Sequence, residues 1–103
     1  MPKSNFGMVG TLETAPENRD KLVDILTQAA ALMEDIEDCH QYVVTKDADN
    51  ERLVWVIELW TSKEAHDASL ALPDVRALIG QAMPMITGTP SGASLVPVAG
   101  KGL

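Results

Sequence analysis

The most informative stretch of the sequence is Leu-Val-Trp-Val-Ile-Glu-Leu-Trp, at residues 53–60. Its β-branched and aromatic residues predict a strand. Side chains alternate between faces, with Leu53, Trp55, Ile57 and Leu59 on one face and Val54, Val56, Glu58 and Trp60 on the other. Both faces are apolar except at Glu58, so both must be covered. Since the helices of one chain cover only one side of a sheet, the second face predicts a homodimer.

Strands and helices are predicted on both sides of this segment. Residues 6–14 and 39–46 are typical of two further strands, and Gly7 and Gly10 interrupt the first of them. A glycine inside a strand often marks close approach by another backbone or by a ligand. A polar turn at residues 47–50 precedes the 53–60 strand.

The helical segments have recognisable starts and stops. The first amphipathic helix is predicted from a Thr14 cap and Pro16 to Asp38. A short helix follows over residues 61–72, and another over residues 73–87, where Pro84 should weaken the last turn. A final strand is predicted at residues 94–98.

The resulting element order is β-α-β-β-α-α-β, the split β-α-β plan of ferredoxin-like α+β domains with an antiparallel four-stranded sheet. With 103 residues, the chain predicts one domain over residues 1–103. Its ordered core should span about residues 6–98, with a loose C-terminal tail.

Composition argues against several classes of function. The net charge is -7, from 15 acidic and 8 basic residues, which disfavours nucleic acid and anionic membranes as partners. The single cysteine, Cys39, cannot form an internal disulfide. The N-terminal residues lack the apolar run of a signal peptide, and the apolar stretches are too short to span a bilayer. We therefore expect a cytoplasmic protein.

Two local motifs carry a family resemblance. An acidic loop leads into Cys39 and then Tyr42, and Glu-Leu-Trp at 58–60 is followed by Ser-Lys-Glu-Ala at 62–65. These segments resemble the "Gly-Cys-x-x-Tyr" and "Glu-x-Trp-x-Ser-x-Glu-Ala" motifs of the antibiotic biosynthesis monooxygenase family. The resemblance extends over residues 6–98 and is most specific at residues 58–65.

Membership in that family would imply a dimeric α/β barrel, with a pocket between each sheet and its helices. Characterised members include flavin-free oxygenases of anthrones and quinols, and haem-degrading enzymes. The sequence also departs from the family pattern, since two positions that often carry histidine align with Ser69 and Asp74. Haem degradation is disfavoured because Gly10 stands near the strand-one asparagine of that branch, and no histidine occurs in residues 73–87.

Five residues are candidates for a site. Trp60 and Tyr42 could hold an aromatic ring, and the alternative for each is a core residue, with the Tyr42 hydroxyl at an edge. His40 shares a predicted strand face with Tyr42 and could line the same pocket. His66 or Glu58 could act as a base. Their alternatives are a solvated His66 on a surface helix, and a Glu58 paired with Arg76 or with a residue of a partner chain.

Two hypotheses for the function follow. The first is a cofactor-independent oxygenase of small electron-rich aromatics of the quinol or anthrone type, without flavin or metal, because such substrates supply their own electrons. The second is a non-catalytic dimer that binds a small apolar molecule or serves as an assembly module. No set of residues has the spacing of metal ligands, and no cofactor motif is present, so we expect neither metal nor cofactor.

Overall fold

Residues 3–103 of the computed structural model are described here, and they form a four-stranded antiparallel sheet with helices on one face. The strands are β1 (Phe6–Thr14), β2 (Cys39–Lys46), β3 (Leu53–Trp60) and β4 (Ile86–Leu95), in the order β2-β3-β1-β4. The helices are α1 (Arg19–Met33), α2 (Lys63–Ser69) and α3 (Pro73–Ala82). The predicted element order and ferredoxin-like α+β class are confirmed. Within this part of the chain, no helix is long and apolar enough to cross a membrane.

Strand β3 lies at the centre of the sheet, paired with both β1 and β2. The predicted facing is confirmed, because Val54 and Trp60 are fully buried beneath the helices whereas Ile57 is 40% exposed on the other face. Register places further apolar residues around Ile57 on that uncovered side. We call this the open face, and it comprises Val9, Val43, Ile57, Leu59 and Leu95.

The helix-covered face is held by two apolar clusters. In the first, Leu22 of α1 and Leu78 of α3 pack with Val54 of β3. In the second, Phe6 and Trp60 pack with Val75. Full burial of one such aliphatic side chain stabilises a fold by about 1.5–3 kcal/mol. The two clusters therefore fasten α1 and α3 along the length of β3.

Helix α1 is shorter at both ends than predicted. It is preceded by a 3-10 turn at Pro16–Asn18, and Thr14 does not cap it. The Thr14 side chain is buried instead and donates to the carbonyl oxygen of Met85 at 2.6 Å. The helix ends at Met33 rather than near Asp38 because residues 34–38 carry four acidic side chains, and negative charge is unfavourable at a helix C-terminus.

The C-terminal part of the prediction is wrong. Helix α3 ends at Ala82, a 3-10 turn spans Met83–Met85, and β4 begins at Ile86, eight residues before the predicted strand. Pro84 explains the helix end, because it has no N–H to donate to the preceding turn. The rest of the segment pairs with β1, and Thr87 donates to Glu13 across this pair at 2.9 Å.

Gly92 offers a test of the β1–β4 pairing. A Cβ atom added there would lie 2.2 Å from the carbonyl oxygen of Val9, which is backbone and cannot move cheaply. Gly92→Ala should therefore lower the free energy of unfolding by about 1–3 kcal/mol, as measured by urea denaturation. Gly80→Ala is the matched control, since nothing lies within 4 Å of its Cβ position on α3, and it should stabilise slightly. Equal stability of the Gly92→Ala variant and the parent would contradict this register.

Candidate functional site

An apolar cavity of about 250 Å³ lies between the sheet and all three helices. We call it the inner cavity. Its wall is mostly aliphatic, and four polar residues interrupt it: Tyr42, Glu58, His66 and Ser69. The exposed side chains of Leu70, Ile79 and Met83 surround its mouth. An apolar chamber with a few converging polar groups is the usual form of a small-molecule site.

Glu58 is the unusual residue of this wall, because it is a mostly buried carboxyl group on an apolar strand. Its Oε1 atom accepts a hydrogen bond from the indole N–H of Trp60 at 3.0 Å. Burial raises the pKa of Glu58 above its ordinary value, while the Trp60 hydrogen bond and the neighbouring His66 oppose this shift. Within residues 3–103 no ion pair joins Glu58 to Arg76, so that alternative is wrong for the single chain.

His66 is buried, so the interpretation of a solvated histidine on a surface helix is wrong. Its ring meets Trp60 edge-on at 5.5 Å between centroids and lies 5.4 Å from the ring of Phe6. The Nδ1 atom lies 2.9 Å from Oδ1 of Asp67, and Nε2 lies 3.8 Å from Oε1 of Glu58. The second distance is too long for a direct hydrogen bond. The imidazole therefore lies between two carboxyl groups.

Short local contacts set the orientation of His66. The Ser62 side chain caps α2 by accepting a hydrogen bond from the backbone N–H of Ala65 at 3.1 Å. One turn later the hydroxyl of Ser69 donates to the carbonyl oxygen of His66 at 2.6 Å. The Nζ atom of Lys63 donates a hydrogen bond to Oδ2 of Asp67 at 2.8 Å. This hydrogen bond and the one between His66 and Asp67 lower the pKa of Asp67. Asp67 is thus ionised at neutral pH, and its carboxylate can accept a hydrogen bond from the Nδ1–H group of His66.

Tyr42 and Cys39 are both held in their neutral forms. Burial raises the pKa of the Tyr42 hydroxyl, and the charge of Glu58 contributes a smaller part of this increase. The same two causes raise the pKa of the Cys39 thiol to about 11. Tyr42 lies directly opposite Glu58 on the adjacent strand. Tyr42 can therefore donate a hydrogen bond to a ligand, whereas Cys39 is not a thiolate nucleophile at neutral pH.

The structure does not bring all five candidates together. Tyr42, Glu58 and His66 line the inner cavity. Trp60 is fully buried behind Glu58 and presents no free ring face for stacking. His40 is exposed, because a β-bulge between Cys39 and Gln41 shifts it out of the alternation on which its predicted facing depended. Its ring nitrogens lie 2.7 Å from Ser4 Oγ and 3.2 Å from Thr61 Oγ1 instead.

Three neighbours of His66 were missed by sequence reasoning. Asp67 and Ser69 lie on the same short helix, and Phe6 comes from β1. Their spacing from His66 (one, three and sixty residues) carries no signal by itself. Only Ser69 had a signal available, since it stands where the family often has histidine. Among the described residues, no three His, Cys, Asp or Glu side chains form a group that could hold a metal ion.

Comparison with known proteins identifies the family. The profile of the antibiotic biosynthesis monooxygenases matches residues 5–81, which is most of the chain. The chain belongs to this family. A structure from Chloroflexus aurantiacus J-10-fl, described as a candidate antibiotic biosynthesis monooxygenase, is 35% identical with a TM-score of 0.84. That similarity covers 94% of this chain and 96% of the other.

More distant members have the same fold. A candidate antibiotic biosynthesis monooxygenase from Caulobacter crescentus CB15 is 23% identical, with a TM-score of 0.87 over 93% of this chain and 92% of its own. Another from Deinococcus radiodurans is 22% identical, with a TM-score of 0.80 over 92% and 94%. A search of functionally curated proteins finds no match. The family resemblance read from residues 58–65 is therefore confirmed.

The raised pKa of Glu58 makes stability depend on pH. Because its folded-state pKa lies above the unfolded-state value, the free energy of unfolding falls as the pH rises through the folded-state pKa. Glu58→Gln removes the buried charge but leaves an oxygen for the Trp60 N–H. The variant should melt higher than the parent at pH 8, with the difference shrinking toward pH 4. A gain of ~1 kcal/mol corresponds to about 4–8 °C in a domain of this size.

The control for this experiment is Glu51→Gln, which makes the same chemical change at an exposed position. It should leave the melting curve unchanged at both pH values. Parallel pH profiles for the Glu58→Gln variant and the parent would show that Glu58 ionises as freely as in the unfolded chain.

Proposed function

We propose that the protein is a cofactor-independent oxygenase that acts on a small, electron-rich aromatic of the quinol or anthrone type. The observation that carries this proposal is the His66 ring, buried between Asp67 and Glu58 at the wall of an apolar cavity. Membership of the antibiotic biosynthesis monooxygenases agrees with it. A buried imidazole with one nitrogen already engaged is suited to removing a proton from a phenolic substrate.

Asp67 prepares His66 for this role. When Nδ1 carries its proton toward Asp67, the lone pair of Nε2 is free on the side of Glu58. A substrate hydroxyl placed in the inner cavity next to Nε2 can then lose its proton to His66. Tyr42 and the protonated form of Glu58 can donate hydrogen bonds to the resulting oxyanion. The aliphatic wall excludes water, which strengthens these interactions.

Deprotonation makes the substrate's own electrons available for the reaction with oxygen. An anthrone or quinol anion is electron-rich and reduces O₂ directly. Anthrone would react through its enol tautomer, which carries the hydroxyl proton that His66 removes. The former methylene carbon loses its two hydrogens and gains one oxygen atom as a ketone, and the second oxygen atom leaves with those two hydrogens as water. The substrate is oxidised and O₂ is reduced, so no other electron donor is required. The protein contributes the base, the anion-stabilising donors and a dry chamber.

A binding-only function is the second candidate, and one observation favours it. Trp60 is enclosed behind Glu58 and does not line the inner cavity, so Tyr42 is the one residue of the expected aromatic pair that remains in this wall. Under that alternative the protein takes up a small apolar molecule without converting it. Oxygen consumption separates the two functions, because only the oxygenase consumes O₂ when substrate is added.

We also propose that the protein works as a homodimer through the open face. In a single chain Val43, Ile57 and Leu95 remain 42%, 40% and 47% exposed on that side of the sheet. Contiguous exposed apolar patches are uncommon on monomers. A second copy related by a two-fold axis would cover them with the same surface. A stable interface of ordinary size buries about 800 Å² on each partner, which a four-stranded sheet can supply.

Oxygen uptake with anthrone and with menadiol tests the catalytic proposal. The parent protein should consume O₂ faster than the buffer blank, and His66→Gln should reduce the rate by about 10²-fold or more, the usual contribution of a general base. His40→Gln is the matched control, because this second histidine lies outside the inner cavity, and its rate should equal that of the parent. Rates at the blank level with both substrates would exclude the oxygenase and leave the binding function.

Light scattering at micromolar concentration tests the dimer. The parent should show twice the mass of the 11.1 kDa chain. Ile57→Glu puts a charge at the centre of the open face of an already acidic protein, and it should shift the mass to that of one chain. Leu72→Glu is the control, because Leu72 is similarly exposed (44%) but lies at the start of α3 in the helix layer. A single-chain mass for the parent would refute the dimer.

A further inference from the structure

The inner cavity is too small for the larger ligands that its chemistry would accept. Its volume is about 250 Å³, whereas sites for drug-sized molecules measure ~300–1,000 Å³. An apolar cavity of ~150 Å³ accommodates one benzene ring. The inner cavity thus accepts a one-ring molecule with substituents, but a molecule of three fused rings must extend beyond it.

A second concavity continues from the inner cavity over β1 and β4. This groove measures about 430 Å³ and is open to solvent. Both spaces share part of their walls, formed by Leu12, Leu26, Tyr42, Glu58 and Pro90. Tyr42 and Glu58 therefore stand at the junction, with the inner cavity on one side and the groove on the other. Together the two spaces fall within the size range of ordinary ligand sites.

The floor of the groove contains a gap in the side chains of the sheet. Register aligns Val44, Val56, Gly10 and Gly92 in one row across the four strands. The first two positions carry valine and the last two carry no side chain, so the floor drops where the row crosses β1 and β4. A flat backbone surface of this kind fits the face of a planar ring.

The two glycines have different physical explanations. Gly92 is required by a neighbouring backbone, since its Cβ would lie 2.2 Å from the Val9 carbonyl oxygen. Gly10 has no such constraint, because the nearest atom to its Cβ would be Ser91 O at 3.9 Å. A strand glycine marks close approach either by backbone or by a ligand. For Gly10 the backbone explanation fails, and its missing side chain leaves room in the groove.

Gly10 is also close to the two polar residues at the junction, Tyr42 and Glu58. It lies opposite Val56, and Glu58 is the next residue of β3 on the same face. Such diagonal neighbours in antiparallel strands are about 7–8 Å apart. A ligand whose hydroxyl meets Glu58 and Tyr42 therefore has its adjoining rings above Gly10. Any side chain at this position would occupy the volume that those rings need.

We infer that Gly10 is a specificity-determining residue, which admits ligands of three fused rings by leaving the groove floor open beside Tyr42 and Glu58. The inference rests on the phenolic ligand class of the proposed function, but not on catalysis. A larger residue at position 10 should restrict binding to one-ring ligands. Such ligands fit in the inner cavity and do not reach the groove.

Binding of three phenols to the full chain, measured without O₂, tests this assignment. Phenol, 1-naphthol and 1-hydroxyanthraquinone carry one hydroxyl on one, two and three rings, and calorimetric titration gives their affinities without turnover. Gly10→Val should weaken binding of the three-ring ligand by at least about tenfold, as expected when a pocket wall gains a few methyl groups. Phenol binding should stay within about twofold. Gly10→Ala should weaken binding of the three-ring ligand less than Gly10→Val does, again with little effect on phenol. Gly80→Ala on α3 should change none of the three affinities.

Each result decides the assignment. Equal three-ring affinity for Gly10→Val and the parent would overturn it, as would a parallel loss of phenol binding in variants that keep the parent melting temperature. Failure of the parent to bind any of the three ligands would overturn it as well. The Gly10→Val variant could lose affinity for the three-ring ligand but not for phenol while the parent consumes no O₂ with anthrone or menadiol. This result would support the assignment and refute the oxygenase. The two proposals thus fail independently.

Discussion

Burial of the inner face of β3 is the constraint on which the rest of the structure depends. Val54 and Trp60 are fully enclosed there, and they draw α1, α3 and the first residues of β1 into two contiguous clusters. Since apolar burial is the main favourable term in folding, this strand fixes where the helices lie. The inner cavity is the space that remains between these clusters, so the fold and the candidate site have the same origin.

Within this apolar layer, one polar group sets the chemistry of the site. Glu58 interrupts the apolar face of β3 and is tolerated because Trp60 donates to it and His66 faces it. A buried carboxyl group is costly without such partners. The same arrangement aims the imidazole of His66 at the cavity and ties its far side to Asp67. The features that compensate Glu58 are thus those that could serve proton transfer.

The sequence pattern predicted the strands that are marked by their own residues, and it failed for the strand that forms only because it pairs with a distant segment. Strands β1, β2 and β3 lie at their predicted positions because alternation and β-branched residues mark them. Strand β4 carries Gly88, Pro90 and Gly92, which resemble a loop. It becomes a strand because β1 offers an unpaired edge, and an edge strand tolerates proline. The predicted facing of His40 was wrong for a related reason. Strict alternation of side chains between the two faces cannot predict a β-bulge, and one lies between Cys39 and Gln41.

The sequence by itself determined the fold class, the family, the two-faced central strand and three of the residues that meet at the cavity. These depend on local periodicity and on short motifs, which one chain segment carries alone. The tertiary structure decided that His66 is buried, that Trp60 supports Glu58 from behind, and that the floor beside Gly10 is open. Each of these depends on contacts between segments far apart in the chain, and the depth of a side chain and the volume beside it arise only when those segments pack together.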